Sequence, residues 1–166
     1  MSKIKEPVPD AWKEGGLPYG PSITLAAAKK MLDAAEAEAK KQGLLMVMAI
    51  ADTGGNLVAF SRMDNAMLLS IQIAMDKAFT AAFSKVPSEV WRNILRAGML
   101  PQLFIHERLM PLPGGFPLIK NGQLMGGLGV SGATALGDTS VARAALVAGG
   151  FSTQDIDAIL SELQGI

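Results

Sequence analysis

The chain has a single histidine, His106, which is followed by Glu107 in the run FIHER. An imidazole changes its charge near neutral pH, so it can transfer protons in a reaction or act as an axial ligand of a haem iron. These properties make His106 and Glu107 the candidate catalytic acid and base. An ordinary loop histidine with charged neighbours explains the same residues without any chemistry.

The composition excludes several kinds of reactive centre. One histidine and no cysteine cannot supply the ligands of a closed zinc site, so the sequence predicts no metal site. The lack of cysteine also excludes disulfides, thiolate nucleophiles and iron–sulfur clusters. Zinc-dependent hydrolysis and thiol chemistry are therefore excluded.

Charged residues flank an unusually apolar segment, AMLLSIQIAMDKAFTAAFSK, which predicts a helix buried on most sides. Arg62 and Asp64 precede it, and Asp76 and Lys77 lie within it. A buried lysine requires a carboxylate partner or an anionic ligand. Either Lys77 forms a structural ion pair with Asp64 or Asp76, or Arg62 and Lys77 form the anion-binding end of a substrate pocket to which Asp64 also belongs. In the second case Arg62 binds a carboxylate with both of its terminal nitrogens.

The stretch GGFPLIKNGQLMGGLGVSG, residues 114–132, holds seven glycines and ends in a G-x-G-x-x-G pattern. A dinucleotide fold needs that pattern between a strand and a helix, whereas here it lies on the returning strand of a hairpin that turns at Asn121-Gly122. Glycine within a strand indicates close approach of another group. Either a helix packs flat against Gly127 and Gly129, or a flat ligand does. Gly114 and Gly115 would offer backbone N–H groups to the ligand's anion.

The remaining elements follow from hydrophobic periodicity and from helix start and stop signals. Thr24 and Gly43 bound a first helix, and Asp52 to Gly55 join two strands near 45–51 and 56–61. The buried helix after Asp64 is followed by a helix from Glu89 to Ala97, which Ser88 caps and Gly98 ends, and by a loop over 99–113. Two strands are predicted at 116–120 and 123–130. A helix capped by Asp138 then runs to Val147, and a last helix covers 153–163. This order predicts an α+β fold with an antiparallel sheet built from two hairpins.

The first 21 residues are rich in proline and glycine, which predicts an extended N-terminal arm, followed by a single domain over 22–166. Trp12 and Tyr19 lie in this arm. Aromatic residues of this kind anchor an arm to its own domain or to a neighbouring subunit.

Four ordered pieces of the sequence resemble the GlcG/HbpS family, also called the haem-degrading or domain-of-unknown-function-336 family. They are ITLAAAKKMLDAAEAEAKKQGL, AIADTGGNLVAFSRMD, AMDKAFTAAF and GGFPLIKNGQLMGGLGVSGAT. The resemblance implies a profilin-like antiparallel sheet flanked by helices, and dimers or higher oligomers with pockets near subunit contacts. The family includes haem binders, accessory proteins of unknown role and 4-hydroxylaminobenzoate lyases.

Two functions fit these residues and this family. The first is an enzyme that transforms a small planar aromatic acid, most concretely a lyase that acts on 4-hydroxylaminobenzoate and needs no cofactor. His106 and Glu107 would move protons, with Tyr19 as a weaker candidate, and Met63, Met99 and Met110 would help to wall the pocket. The alternative is a non-catalytic protein that binds haem or another tetrapyrrole through His106 and nearby Met110. A third hypothesis is a purely structural accessory subunit that binds neither kind of ligand.

The charge balance bears on partners and location. Fifteen basic and fifteen acidic residues give no basic surface for nucleic acid. A mean hydropathy of +0.30 with no net charge favours self-association into a homo-oligomer. The first residues lack the apolar run of a signal peptide, and no run approaches the roughly 18 apolar residues of a membrane span. The sequence therefore predicts a cytoplasmic protein without membrane contact.

Overall fold

The computed structural model describes residues 8–98 and 106–163. These residues form a short 3₁₀ turn, five α-helices and four β-strands. In chain order the elements are the turn Asp10–Trp12, α1 (Leu25–Lys41), β1 (Val47–Ala51), β2 (Leu57–Arg62), α2 (Leu69–Ser84), α3 (Ser88–Arg96), β3 (Gly115–Lys120), β4 (Gln123–Ser131), α4 (Ala135–Gly149) and α5 (Thr153–Glu162). Within the described ranges no helix is both long and apolar enough to cross a membrane.

Helices α1 and α5 begin where the sequence predicts. The Thr24 hydroxyl accepts a hydrogen bond from the Ala27 N–H at 3.2 Å, and the Ser152 hydroxyl accepts one from the Asp155 N–H at 3.1 Å. Such side-chain oxygens satisfy N–H groups that have no partner within the helix. Both predicted caps are confirmed.

The predicted caps of α3 and α4 are wrong. Ser88 is the first residue of α3, and its hydroxyl accepts the Gly115 N–H at 3.0 Å instead of capping its own helix. Asp138 lies in the first turn of α4, whose cap is Thr134. Both side chains that the local pattern predicted as caps instead bond to residues distant in sequence, Ser88 to Gly115 and Asp138 to Lys77.

The four strands form one antiparallel sheet in the order β2-β1-β4-β3. The β3–β4 hairpin turns at Asn121 and Gly122, whose φ values of 52° and 68° are those of a type I′ turn. The predicted α+β fold with two hairpins is confirmed.

Helices cover both faces of the sheet. Alternate residues of β1, such as Val47 and Ala49, pack beneath α2 against Ala74 and Ala78. The residues between them, Met48 and Ile50, face the other side of the sheet. There they belong to the main core, which also contains Leu128 of β4, Met31 of α1 and Ala142 of α4. The side chains on the α2 side are small, so the backbone of α2 lies close to the sheet.

Residues 8–21, which we call the N-terminal segment, lie against the body of the same chain. The Gly20 N–H donates to the Leu124 carbonyl at 2.8 Å, and the Leu124 N–H donates to the Pro18 carbonyl at 2.9 Å. Trp12 stacks on Trp91 of α3 with ring centroids 5.3 Å apart. The described part of the predicted arm is therefore anchored on its own domain, while the division of the chain at residue 21 stays a prediction.

Candidate functional site

A cavity of about 670 Å³ lies between the N-terminal segment and the C-terminal half of α2, and we call it the arm cavity. Residues between Ala11 and Pro18 form one wall, and the end of α2 from Phe79 to Ser84, with Lys85 after it, forms another. Its aromatic lining residues are Trp12, Phe79, Phe83, Trp91 and His106. A concave, mainly apolar cavity with a few polar groups is typical of a site for an organic ligand.

The aromatic rings of the arm cavity contact one another. Phe79 and Phe83 lie one helical turn apart on α2 and stack with centroids 4.3 Å apart. The His106 ring stacks on Phe79 at 5.6 Å. Sequence reasoning missed both phenylalanines. Their four-residue spacing was a usable signal, but it does not distinguish a cavity wall from a core contact.

The loop that carries His106 is fastened to α2. Arg108 lies over the Phe79 ring, its guanidinium carbon 3.9 Å from the ring centroid, and its Nε donates to the Asp76 carboxylate at 3.1 Å. The Thr80 hydroxyl donates to the Arg108 carbonyl at 3.2 Å. Asp76 is thus the partner of Arg108 and not of Lys77. These contacts hold the His106 loop against the cavity.

His106 and Glu107, the predicted acid and base, differ in position. Both are exposed, but only His106 lines the arm cavity. The His106 Nδ1 accepts a hydrogen bond from the Arg108 N–H at 3.3 Å. A catalytic role for either residue stays a prediction.

Two lysines provide positive charge at the arm cavity. Lys13 lies on the N-terminal segment, where it pairs with Asp10, and Lys85 follows α2. The Lys85 ammonium donates to the Leu17 carbonyl at 2.8 Å and lies 4.1 Å from the centroid of the Tyr19 ring. Tyr19 therefore contacts a cavity residue without being part of the lining.

The predicted substrate-binding group, with Arg62 and Lys77 at its anion end and Asp64 beside them, is not assembled. Arg62 and Asp64 line a separate cavity of about 350 Å³ beside α1, together with Met63. Lys77 lines a third cavity, of about 220 Å³. None of the three cavities shares a lining residue with another. Met110 also lies outside the arm-cavity lining, and Met99 falls outside the described residues.

Gly127 and Gly129 lie beneath α2. A Cβ atom on Gly129 would come within 2.0 Å of the Ala74 carbonyl oxygen, and one on Gly127 within 2.1 Å of the Ala78 carbonyl oxygen. Real Cβ atoms do not approach backbone so closely. The prediction of a flat ligand on these glycines is therefore wrong, and the packed helix is the correct alternative.

Gly114 and Gly115 also serve packing. A Cβ atom on Gly114 would meet the Val130 carbonyl oxygen at 2.7 Å, and one on Gly115 would meet the Ser88 hydroxyl at 2.6 Å. The Gly115 N–H is already bonded to Ser88. The predicted anion cradle at Gly115 is therefore wrong, because its donor is used within the fold.

Lys77 is almost fully buried and forms an ion pair with Asp138 of α4. Its Nζ lies 2.6 Å from the Asp138 Oδ2 and 2.8 Å from the Val130 carbonyl oxygen. Burial lowers the pKa of Lys77, and the Asp138 charge opposes part of that effect. The prediction that Lys77 forms a structural ion pair is confirmed, but the partner is Asp138 and not the predicted Asp64 or Asp76.

Comparison with known proteins decides the family. The family model described as haem degrading protein HbpS-like matches residues 23–147. The chain belongs to the HbpS-like family. This match confirms the resemblance carried by the four sequence pieces.

Relatives and solved structures of HbpS-like proteins extend the match. An uncharacterized 15.0 kDa protein from the dhaT-dhaS intergenic region of Citrobacter freundii is 38% identical over 128 residues, which is 75% of this chain and 90% of the relative. A double mutant of HbpS from Streptomyces reticuli is 32% identical, with a TM-score of 0.72 over 87% of this chain and 97% of that one. The PduOC:heme complex is 27% identical, with a TM-score of 0.76 over 80% of this chain and 98% of that one.

These relatives correct one functional expectation. The prediction that the protein works without a cofactor is wrong, because the family model is named for haem degradation and a matched structure is a haem complex. Neither of these descriptions mentions a lyase or an aromatic acid. The glycine slot that motivated the lyase is also filled by α2.

Proposed function

We propose that this HbpS-like protein binds haem, or a related planar tetrapyrrole, in the arm cavity. The observation that carries the proposal is the lining, which combines five aromatic rings with two lysines and includes the only imidazole of the chain. The volume of about 670 Å³ lies in the range of cavities that enclose organic ligands.

The walls of the arm cavity suit a flat, apolar macrocycle. Trp12 and Phe83 are substantially exposed, so a macrocycle placed against them would bury aromatic surface that now faces solvent. Trp91, in contrast, is buried and supports Trp12 from behind. The apolar free energy of binding therefore comes mainly from the exposed rings.

The two lysines suit the carboxylates of haem. Lys13 and Lys85 belong to different elements, so they can contact two separate carboxylates at the edge of one ligand. Such partly exposed ion pairs each contribute about 0.2–1 kcal/mol, so their main effect is on the orientation of the ligand. Lys85 also donates to the Leu17 carbonyl, which links ligand contact to the position of the N-terminal segment.

His106 is the residue that would bind the haem iron. Its Nδ1 accepts the Arg108 N–H, so in the neutral ring the proton is on Nε2. Ligation through Nε2 requires that proton to move to Nδ1, and the bond with the Arg108 N–H is then lost. An intramolecular bond of this kind is worth about 1 kcal/mol. When bound, haem supplies redox and oxygen chemistry that the side chains lack.

Replacement of His106 by alanine tests this assignment. The wild-type protein should shift the Soret band of added haem, and His106→Ala should bind haem about tenfold more weakly or worse, with a changed band position, because an axial bond is lost. Glu107→Ala is the matched control, since Glu107 lies in the same loop but does not line the cavity. Absorbance titrations measure both. Equal affinity and identical spectra for wild type and His106→Ala would exclude His106 as the ligand.

We also propose that the protein self-associates. Several large apolar side chains face solvent, among them Leu68, Leu69 and Leu136, which are 71–83% exposed. The chain carries no net charge to oppose contact between copies. Sedimentation velocity should show a dimer or larger species whose population falls in Leu69→Lys, while Lys29→Glu on the exposed face of α1 leaves it unchanged. A monomer at all concentrations would contradict self-association.

A further inference from the structure

A second cavity, of about 220 Å³, lies beside the buried Lys77–Asp138 pair, and we call it the Lys77 cavity. Apolar side chains such as Met67, Leu69 and Leu112 form its exposed rim. Its polar lining consists of Ser70, Lys77, Ser131 and Asp138, each no more than 6% exposed. It shares no lining residue with the arm cavity.

Lys77 keeps unused hydrogen-bonding capacity beside the Lys77 cavity. A lysine ammonium has three N–H donors, and Lys77 directs two of them to Asp138 and the Val130 carbonyl. Ser70 and Ser131, which are almost fully buried, line the same cavity. Buried polar groups normally have partners, so the third N–H of Lys77, with two serines beside it in the lining, indicates a site for a small polar ligand.

Lys77 has the environment of a nucleophilic amine. It is only 1% exposed, and the charged side chain paired with its Nζ is the Asp138 carboxylate. Burial lowers the pKa of Lys77, which favours the neutral amine. Desolvated lysines of this kind react with carbonyl compounds.

We propose that the Lys77 cavity binds a small aldehyde or ketone, which forms a reversible imine with Lys77. The carbonyl oxygen is placed near Ser70 and Ser131 of the lining, and the carbon faces Nζ. The cavity volume restricts the ligand to a few carbon atoms, because it is smaller than the range usual for drug-sized molecules.

The reaction balances within the ion pair. The Lys77 ammonium first gives a proton to the Asp138 carboxylate, and the free amine attacks the carbonyl carbon to form a C–N bond. Asp138 returns the proton to the oxygen and then carries a second proton from the nitrogen to the same oxygen. Loss of water, with the C–O bond broken, leaves a protonated imine beside the Asp138 carboxylate. One ammonium and one carbonyl compound thus give one iminium ion and one water, with no change in total charge.

Reductive trapping tests the proposal. The folded protein is treated with acetaldehyde and cyanoborohydride near pH 7, and peptide mass mapping then locates the ethyl groups. Lys77 should be modified faster than Lys40, which is exposed and whose pKa is raised by its hydrogen bond to Glu36. This preference should decline as the pH approaches about 10, where exposed lysines also lose their protons.

Two controls separate the cavity from general reactivity. A bulky aldehyde, 2-naphthaldehyde, should modify exposed lysines and leave Lys77 unmodified. Ser70→Ala keeps the ion pair, so it should fold normally and slow the modification of Lys77 by acetaldehyde. Lys77 that reacts no faster than Lys40 in protein with a native circular dichroism spectrum, or that reacts equally with both aldehydes, would overturn the proposal.

Discussion

Replacement of Gly129 by alanine is expected to destabilise the protein by about 3 kcal/mol or more. The added Cβ would lie 2.0 Å from the Ala74 carbonyl oxygen and 2.6 Å from the Ala78 backbone nitrogen. Both atoms belong to the backbone of α2, so no side-chain rotation relieves the contact and the helix must move away from the sheet. Chemical denaturation followed by circular dichroism measures the change in the free energy of unfolding.

Gly43→Ala is the matched control for Gly129→Ala. Gly43 follows α1 at a φ of +68°, and a Cβ atom there meets nothing within 4 Å. Its replacement strains the backbone without a packing clash and should cost about 1–2 kcal/mol. If the two variants have equal stability, close packing of α2 on the glycines of β4 is not the reason for those glycines.

Replacement of Lys77 by methionine is expected to cost about 3–5 kcal/mol, because it leaves the Asp138 carboxylate buried without its cation. In Lys77→Met/Asp138→Asn both charges are removed, and the asparagine oxygen can still accept the Ala133 N–H that Asp138 Oδ1 now accepts at 2.9 Å. The double variant should therefore be more stable than Lys77→Met alone. Denaturation of the four proteins of this cycle gives the coupling energy. A double variant no more stable than Lys77→Met would contradict the pairing.

The same comparison has a defined pH dependence. Burial lowers the pKa of Lys77 below its ordinary value of 10.5. Between the lowered pKa and 10.5 the unfolded chain holds a proton that the folded protein has released, so stability rises with pH in that window. Below the lowered pKa both states hold the proton and Lys77 adds no slope. The stability of the wild type relative to the double variant should therefore increase as the pH approaches 10.5.

Local signals explain the part of the fold that could be predicted. The Thr24 and Ser152 caps and the Asn121-Gly122 turn depend on neighbouring residues, and the structure has all three. Apolar periodicity was sufficient to place five helices and two hairpins within a few residues of their bounds. The Ser88 and Asp138 caps failed because each side chain bonds to a residue distant in sequence.

The candidate site depended on contacts that only the folded topology creates. Asp138 lies 61 residues beyond Lys77, so no local pattern distinguishes it from the nearer Asp64 and Asp76. Glycines on a strand indicate close approach but do not identify the approaching group, which here is the backbone of α2. Likewise, the arm cavity joins Trp12 to Phe79 and His106 across three parts of the chain.

A crystal structure of the protein soaked or grown with haem tests the central claim most directly. We expect the macrocycle in the arm cavity, against Trp12 and Phe83, with the iron facing His106 and the carboxylates near Lys13 and Lys85. Haem bound instead at the cavity of Arg62 and Asp64, or an arm cavity without haem when the ligand is saturating, would contradict the account.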